Sequence, residues 1–322
     1  MKTAVTTSAV EAAAFIMRGG VVAFPTETVY GLGANVFDAA AVAKIFEAKR
    51  RPADNPLIAH VATREQIGSL ADEITESADK FFDEFFPGPL TVVLKKREIV
   101  PRIATAGLDT IGIRMPKFQL ANAFLHACGV PVVAPSANIS GRPSPTTWEA
   151  VLEDLDGRID CILQGEPTEI GLESTVVDCT GDAPVLLRAG SVSLEQLRSV
   201  VPETREFSTD DPEIARSPGL LHKHYSPRAA VVLVNGPEIG AGFGTPPIAK
   251  GRSAFIGIHT AEGRFELVKR CSSIDEYAHS LFEFFRTCDR QGIDTIYCET
   301  VRQTGIGTAL MDRLRRAAEA CG

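Results

Sequence analysis

The feature that most constrains how this chain can fold is its opening, where a helix pattern stopped by two glycines gives way at once to a buried strand ending on a proline. Ser8 and Glu11 have the spacing of a capping box, Phe15 and Ile16 continue the apolar face, and Gly19-Gly20 end the helix. Residues 21–24 then read as a strand. Pro25 has no N–H to give to a central ladder, so the run empties into a polar loop of Thr26, Glu27, Thr28 and Tyr30. Gly31 and Gly33 permit either a positive φ or a close backbone approach. Ligands of α/β sheets sit in loops at the carboxyl ends of strands. Taken alone, an ordinary strand-turn with solvated Thr and Glu explains this loop equally well.

The alternation recurs down the chain. Asp38 can cap a helix over AAAVAKIFEAK that ends where Lys49, Arg50 and Arg51 meet Pro52, and ADNPLIAH returns to a short strand finishing at His60. Helices are predicted from Thr63 and from Thr75, then strands over LTVVL and TIGIRM and a helix over 117–128. The buried strand VPVVAPS leads into a long Gly/Pro/Ser/Asn loop, followed by a helix near Trp148. Strands DCILQ, STVVD and PVLLR and a short helix capped by Ser193 complete a first domain, 1–205. Several strands follow one another directly, so the expected architecture is a layered α/β domain around a mixed sheet. From 206 to 228 the periodicity fails and Pro, Ser, Asp and Gly dominate, which marks a linker. In 229–322, AAVVLV, SAFIGI and DTIYCE read as strands and 273–290 and 306–321 as amphipathic helices, which fits a smaller Rossmann-like α/β domain.

Two domains are also what 322 residues imply, since a single core stops growing below that length. A formal net charge of -8 leaves no basic face for extended nucleic-acid binding, so any RNA contact is expected to be local or transient. Seven cysteines with no CxxC pair indicate reduced thiols in a cytosolic protein, with neither a disulfide frame nor a zinc site. No apolar run approaches a membrane span, and the N-terminus does not read as a signal peptide.

Candidate chemistry collects in the loops of the first domain. Lys49 and Arg51 put two cations beside Asn55 and the strand ending in His60, although cations at a helix C-terminus also simply complement its dipole. Arg114 ends TIGIRMP, where a planar fork can clamp a carboxylate or phosphate, or form a surface salt bridge. Ser136, Asn138, Ser140, Gly141, Arg142 and Ser144 form a hydroxyl- and amide-rich loop suited to phosphates; the alternative is a solvated flexible loop. Ser174 and Thr175 head a strand after Gly171 and Glu173, and Arg188 ends another. Several cations and many hydroxyls, with no obvious covalent nucleophile, point to a polyanion. There is no Walker A motif, and a Ser-His-Asp hydrolase drawn from Ser136 or Ser174 with His60 lacks a nucleophile elbow. His222 and His224 have no ligand-spaced Cys or carboxylate nearby, and TGIGTAL matches a glycine-rich phosphate loop only in part and reads as a helix start.

Taken in order, FPTETVYGLG, KRRPADNPL with its following His60, TIGIRMP, APSANISGRPSPT, ESTVVD, LLRAG and SPGLLHKHYSP resemble the YrdC-type threonylcarbamoyl-AMP synthases, in the long form with a C-terminal domain. The resemblance runs from Thr7 to Pro227 and more weakly beyond. It implies a YrdC-like twisted mixed sheet with helices on both faces, and conversion of L-threonine, bicarbonate and ATP, with Mg²⁺, into threonylcarbamoyl-AMP and pyrophosphate. The product is expected to pass to a tRNA threonylcarbamoyltransferase that modifies adenosine beside the anticodon. Carried over by position, the threonine pocket falls on Thr28, His60, Arg114, Ala134 and Ser174. The ATP contacts fall on Arg51, Asn55, Thr110, Ser136, Ser144, Arg188 and Tyr225, with Lys49 and Arg51 as catalytic cations and no protein-held metal. The linker is expected to close as a lid that brings Tyr225 onto the nucleotide. A double-stranded RNA-binding or ribosome-maturation protein of the same fold is the alternative, which the net acidity opposes.

Overall fold

Short apolar runs become strands and the intervening amphipathic segments pack over them. The computed structural model describes residues 2–52, 54–207, 226–235, 251–259 and 264–319. The first half runs β1 (Ala4–Thr6), α1 (Ala9–Met17), β2 (Val22–Phe24), β3 (Gly31–Asn35), α2 (Ala39–Lys49), β4 (Ile58–His60), a 3₁₀ turn (Arg64–Ser69), α3 (Glu76–Phe85), β5 (Leu90–Lys95), β6 (Thr110–Arg114), α4 (Gln119–Cys128) and β7 (Val132–Ala134). It continues with α5 (Trp148–Leu155), β8 (Cys161–Leu163), β9 (Thr175–Asp178), β10 (Val185–Arg188), α6 (Leu194–Val200) and β11 (Arg205–Glu206). Then come β12 (Ala230–Asn235), β13 (Ser253–Gly257), β14 (Leu267–Arg270), α7 (Ile274–Gln291), β15 (Thr295–Thr300) and α8 (Ile306–Glu319).

The first eleven strands form one mixed sheet in the order β1-β8-β2-β3-β7-β4-β6-β5-β9-β10-β11. Alternate side chains divide its two faces. Val22, Phe24, Val132, Ala134, Cys161 and Leu163 pack with Ala12, Ile16, Phe124 and Leu125 of α1 and α4. Ala23, Val133 and Ile162 point the other way, into the larger core shared with Ile45, Phe81, Val151 and Leu197 of α2, α3, α5 and α6. The remaining four strands form a parallel sheet in the order β12-β15-β13-β14, the crossover pattern of a small Rossmann-like unit. Its core, built on Ile256, Ile296, Tyr277, Phe285 and Leu314, also takes in Val29 and Leu172 from loops of the first sheet. The second unit's hydrophobic core therefore holds the backs of two loops that border the pocket.

Several local readings change. β1 pairs in parallel with β8, so the chain starts with a strand before its first helix. Ser8 does accept from Glu11 N, but the Glu11 carboxylate takes the Thr6 hydroxyl and does not return to close a capping box. The segment from Thr63 is a 3₁₀ turn without a side-chain cap. Gly31 and Gly33 lie inside strand β3 with no positive φ; they are needed for space, because a Cβ on Gly33 would stand 2.6 Å from Val132 Cγ1. β14 was not foreseen either. Tyr225, His222, His224 and most of the 206–228 linker lie outside the described residues, as does the lid built on them.

Candidate active site

The pocket lies on a face of the large sheet, not at its carboxyl edge as a simple parallel sheet would have it. β3 and β4 both run antiparallel to β7, so strand starts and strand ends meet at one place. Ile58 stands opposite Ala134 and His60 opposite Arg114, and all four side chains line one cavity. Loops supply the rest of the wall: Thr26, Thr28 and Val29 after β2; Arg51, Asn55 and Pro56 before β4; Pro135, Ser136, Asn138, Arg142 and Ser144 after β7; and Glu173 and Ser174 before β9. Arg188 reaches in from the end of β10.

At the inner end, Arg114 is only 4% exposed and is held from three sides. Its guanidinium bonds the Thr28 hydroxyl at 2.8 Å and Gly88 O at 3.3 Å, and its second amino group forms an ion pair with the buried Glu27 carboxylate at 2.7 Å. Thr28 is fixed in turn by Thr26, whose hydroxyl lies 2.8 Å from it and donates to Val29 O. His60 sits edge-on to Phe24, with Nδ1 3.1 Å from Ile58 O. Burial, and then the nearby Arg114 charge, push His60 down to about 3, so the ring is neutral at physiological pH. Ser174 shares a 2.8 Å hydrogen bond with Thr91, and its carbonyl and hydroxyl take both arms of Arg188, at 3.0 and 3.1 Å.

The outer wall is a rigid polar loop. The Lys49 ammonium, at the end of α2, donates to the carbonyls of Ser136 and Asn138 and, at 3.4 Å, to Asn138 Oδ1. The Asn138 amide closes the loop onto Ile139 O and Arg142 O, and Ser136 donates to Asn138 Oδ1. Lys49 therefore stands behind the loop, outside the cavity wall, and burial followed by the Arg51 charge depresses its pKa well below the ordinary lysine range. Arg51 lines the pocket, with its fork on the carbonyls of Asn55 and Pro56 at 3.3 Å.

Ten of the residues singled out from sequence thus share one cavity: Thr28, Arg51, Asn55, His60, Arg114, Ala134, Ser136, Ser144, Ser174 and Arg188. Lys49 adjoins it from behind. Thr110 is on the pocket's face of β6 but four residues from Arg114, roughly 13 Å along the strand, and outside the wall. Sequence reasoning gave no role to Glu27, Asp154, Arg286 or Arg313, although an arginine at helical spacing in an apolar stripe, as in Leu310, Arg313, Leu314 and Ala317, was a readable signal. Asp154 of α5 accepts from Arg142 and Ile139 N on one side and from Arg286 of α7 on the other, while Arg286 also donates to Pro143 O at 2.6 Å. Among the described residues no group of three His, Cys, Asp or Glu is placed to hold a metal ion, and the cavity wall carries one carboxylate, Glu173.

Two family models match the chain in succession. One, described as Telomere recombination and covering Sua5, YciO and YrdC proteins, matches residues 14–190; the other, described as Threonylcarbamoyl-AMP synthase, C-terminal domain, matches 192–319. The threonylcarbamoyl-AMP synthase of Pyrococcus abyssi is 46% identical over 95% of this chain and 93% of its own length, and that of Bacillus subtilis is 43% identical over 96% and 92%. A crystal structure of P. abyssi Sua5 complexed with L-threonine superposes with a TM-score of 0.88 at 41% identity, covering 99% of this chain and 98% of that one. A large mixed sheet with an arginine-lined pocket on its face, joined to a small parallel-sheet unit, defines a YrdC-type enzyme in its long form. The chain belongs to the threonylcarbamoyl-AMP synthase family.

Proposed function

We propose that this enzyme joins L-threonine, bicarbonate and ATP into threonylcarbamoyl-AMP and pyrophosphate, and that the product serves threonylcarbamoyladenosine formation in tRNA. The observation that carries this reading is the gathering of four arginines, Arg51, Arg114, Arg142 and Arg188, around one hydroxyl-lined cavity. Three anions must meet for the reaction, a carboxylate, a carbamate and a triphosphate, and fixed cations offset their repulsion. The threonine amine adds to the carbon of bicarbonate and water leaves, giving a carbamate. A carbamate oxygen then bonds to the α-phosphorus as the bond from that phosphorus to the β-phosphate bridging oxygen breaks and pyrophosphate departs. Positioning and charge stabilisation do most of this work.

The inner end, with Arg114, Thr28, His60, Ala134 and Ser174, is assigned to threonine. Arg114 takes the carboxylate, and the neutral His60 contributes shape and polarity without a further charge. The relative crystallised with L-threonine supports threonine as a ligand of this enzyme. Arg51, Asn55, Ser136, Ser144 and Arg188 are assigned to ATP, with Arg51 as the catalytic cation; Thr110 and Tyr225 keep that assignment by resemblance alone. Lys49 acts one step back, by holding the loop of Ser136 and Asn138 in place. The donor set fits Mg²⁺ carried in on the triphosphate and held by the phosphates and its own waters, because the one wall carboxylate, Glu173, has both oxygens engaged by Ser144 and Arg313. The ion would supply charge neutralisation at the phosphates. We place the enzyme in the cytosol, in line with the six cysteines among the described residues, which are buried free thiols, and expect it to pass its product to a tRNA threonylcarbamoyltransferase without binding nucleic acid stably itself.

The test is pyrophosphate release by the purified protein. It is expected only when ATP, L-threonine and bicarbonate are all present. Release at the same rate without threonine would reject the assignment, and tight binding of duplex RNA with no turnover would favour the RNA-binding alternative.

A further inference from the structure

We infer that Arg313, on the last helix of the second unit, is a positioning residue of the pocket: through Glu173 it sets both the charge of the nucleotide wall and the orientation of the Ser144 hydroxyl. This inference rests on the reading of the site as one that takes ATP and threonine. Leu310, Leu314 and Ala317 of α8 are fully buried in the second core, yet Arg313, set among them and equally buried, turns out of that core toward the first sheet. Its Nε donates to Glu173 Oε2 at 3.1 Å and its fork continues to Ala189 O at 3.0 Å, next to Arg188. The other Glu173 oxygen accepts the Ser144 hydroxyl at 2.5 Å. Both Glu173 and Ser144 line the cavity.

Two consequences follow from this chain of contacts. A carboxylate in the wall of a cavity for anions repels the ligand unless a cation offsets it, and Arg313 is that cation. The repulsion scales with ligand charge, so a triphosphate feels it strongly and the threonine zwitterion, with no net charge, barely at all. Second, a hydroxyl has one proton. While Glu173 holds that proton, Ser144 presents lone pairs to the cavity, so it can accept from a ribose hydroxyl or the adenine amino group but cannot donate to a phosphate oxygen. The carboxylate can hold the proton in one direction only if its second oxygen is pinned from behind. Asp312 completes the cluster: burial alone would raise its carboxyl, but the charges of Arg313 and Arg316 outweigh this and keep it below the ordinary range. The Arg313 charge is therefore shared between Asp312 and Glu173, and it is the contact to Glu173 that reaches the site.

The experiment is calorimetric titration of the full-length protein with a non-hydrolysable ATP analogue and, separately, with L-threonine. Arg313→Met is expected to weaken the analogue about tenfold or more and threonine by less than about threefold. Adding Glu173→Gln to that variant removes the uncompensated anion and is expected to recover most of the lost nucleotide affinity. Arg313→Lys, which keeps a cation near the carboxylate but cannot reproduce the fork onto Glu173 and Ala189 O, is expected to bind the analogue with an affinity between those of wild type and Arg313→Met and threonine within about threefold of wild type; it carries the test if Arg313→Met does not fold. Equal losses for the two ligands, or no recovery in the double variant, would reduce Arg313 to a domain-packing residue and overturn the inference while leaving the assignment of the site intact. A wild-type protein that binds neither ligand overturns both.

Discussion

Replacing Arg114 by alanine is expected to remove L-threonine binding at concentrations that saturate the wild type, while the ATP analogue still binds. Arg114 is the cation at the inner end of the cavity and is almost wholly desolvated, so the carboxylate it takes gains a charge-assisted bond that water does not compete for. Loss of such a contact costs about 2–4 kcal/mol, roughly a 30- to 1000-fold weaker Kd. The same substitution strands Glu27, whose carboxylate is 2.7 Å from the guanidinium and buried with it, and breaking a buried pair costs about 3–5 kcal/mol of stability. Glu27→Gln added to Arg114→Ala is expected to restore most of the stability and none of the threonine affinity, which separates the two roles. Arg114→Lys is not a substitute, because one ammonium cannot at once bond the Thr28 hydroxyl and Gly88 O, pair with Glu27 and face a ligand carboxylate. Threonine affinity unchanged in a folded Arg114→Ala protein would end this assignment.

The second large effect is expected at Asp154, outside the cavity altogether. Its side chain is fully buried and receives Arg142 from the pocket loop and Arg286 from the second unit. Asp154→Ala leaves Arg286, itself nearly inaccessible, without its closest carboxylate, and the expected loss is again about 3–5 kcal/mol. The pH dependence has a definite sign. Burial alone would raise the Asp154 carboxyl, but hydrogen bonds and charge from Arg286 and then Arg142 hold it below its ordinary value of 3.8. A carboxylate whose folded pKa is depressed contributes stability above its unfolded pKa and loses it as pH falls through the folded value. Denaturant titrations are therefore expected to show a wild-type advantage over Asp154→Asn that holds at neutral pH and shrinks below about 3.8. An advantage that does not change down to the acid limit would mean the two arginines do not stabilise the charged form.

Most of the site was legible because its parts obey local chemistry. Pro25 ends a buried strand and leaves threonines at its mouth, Arg114 closes a β-branched strand, and the Ser/Asn/Gly loop after β7 has the composition of an anion cradle. These readings needed no knowledge of which strands pair. What could not be read depended on pairing. β3 is Gly-Leu-Gly-Ala-Asn, with almost no strand propensity of its own, and is held by pairing with β2 and β7, where Val132 and Phe24 leave no space for a Cβ on Gly33. Lys49 has the profile of a catalytic cation at a helix end, and only the folded chain shows that its ammonium bonds the carbonyls of Ser136 and Asn138. Arg286 and Arg313 act on carboxylates more than 130 residues away in sequence, so their partners are set by how the two sheets meet.

The central claim is that a carbamate, and not threonine's own carboxylate, is joined to AMP. The most direct measurement is mass spectrometry of the nucleotide product after incubating the purified protein with ATP, Mg²⁺, L-threonine and ¹³C-labelled bicarbonate. The predicted result is an adenylate that contains threonine and one labelled carbon, formed together with pyrophosphate. An unlabelled threonyl adenylate, or AMP released with no threonine attached, would contradict it.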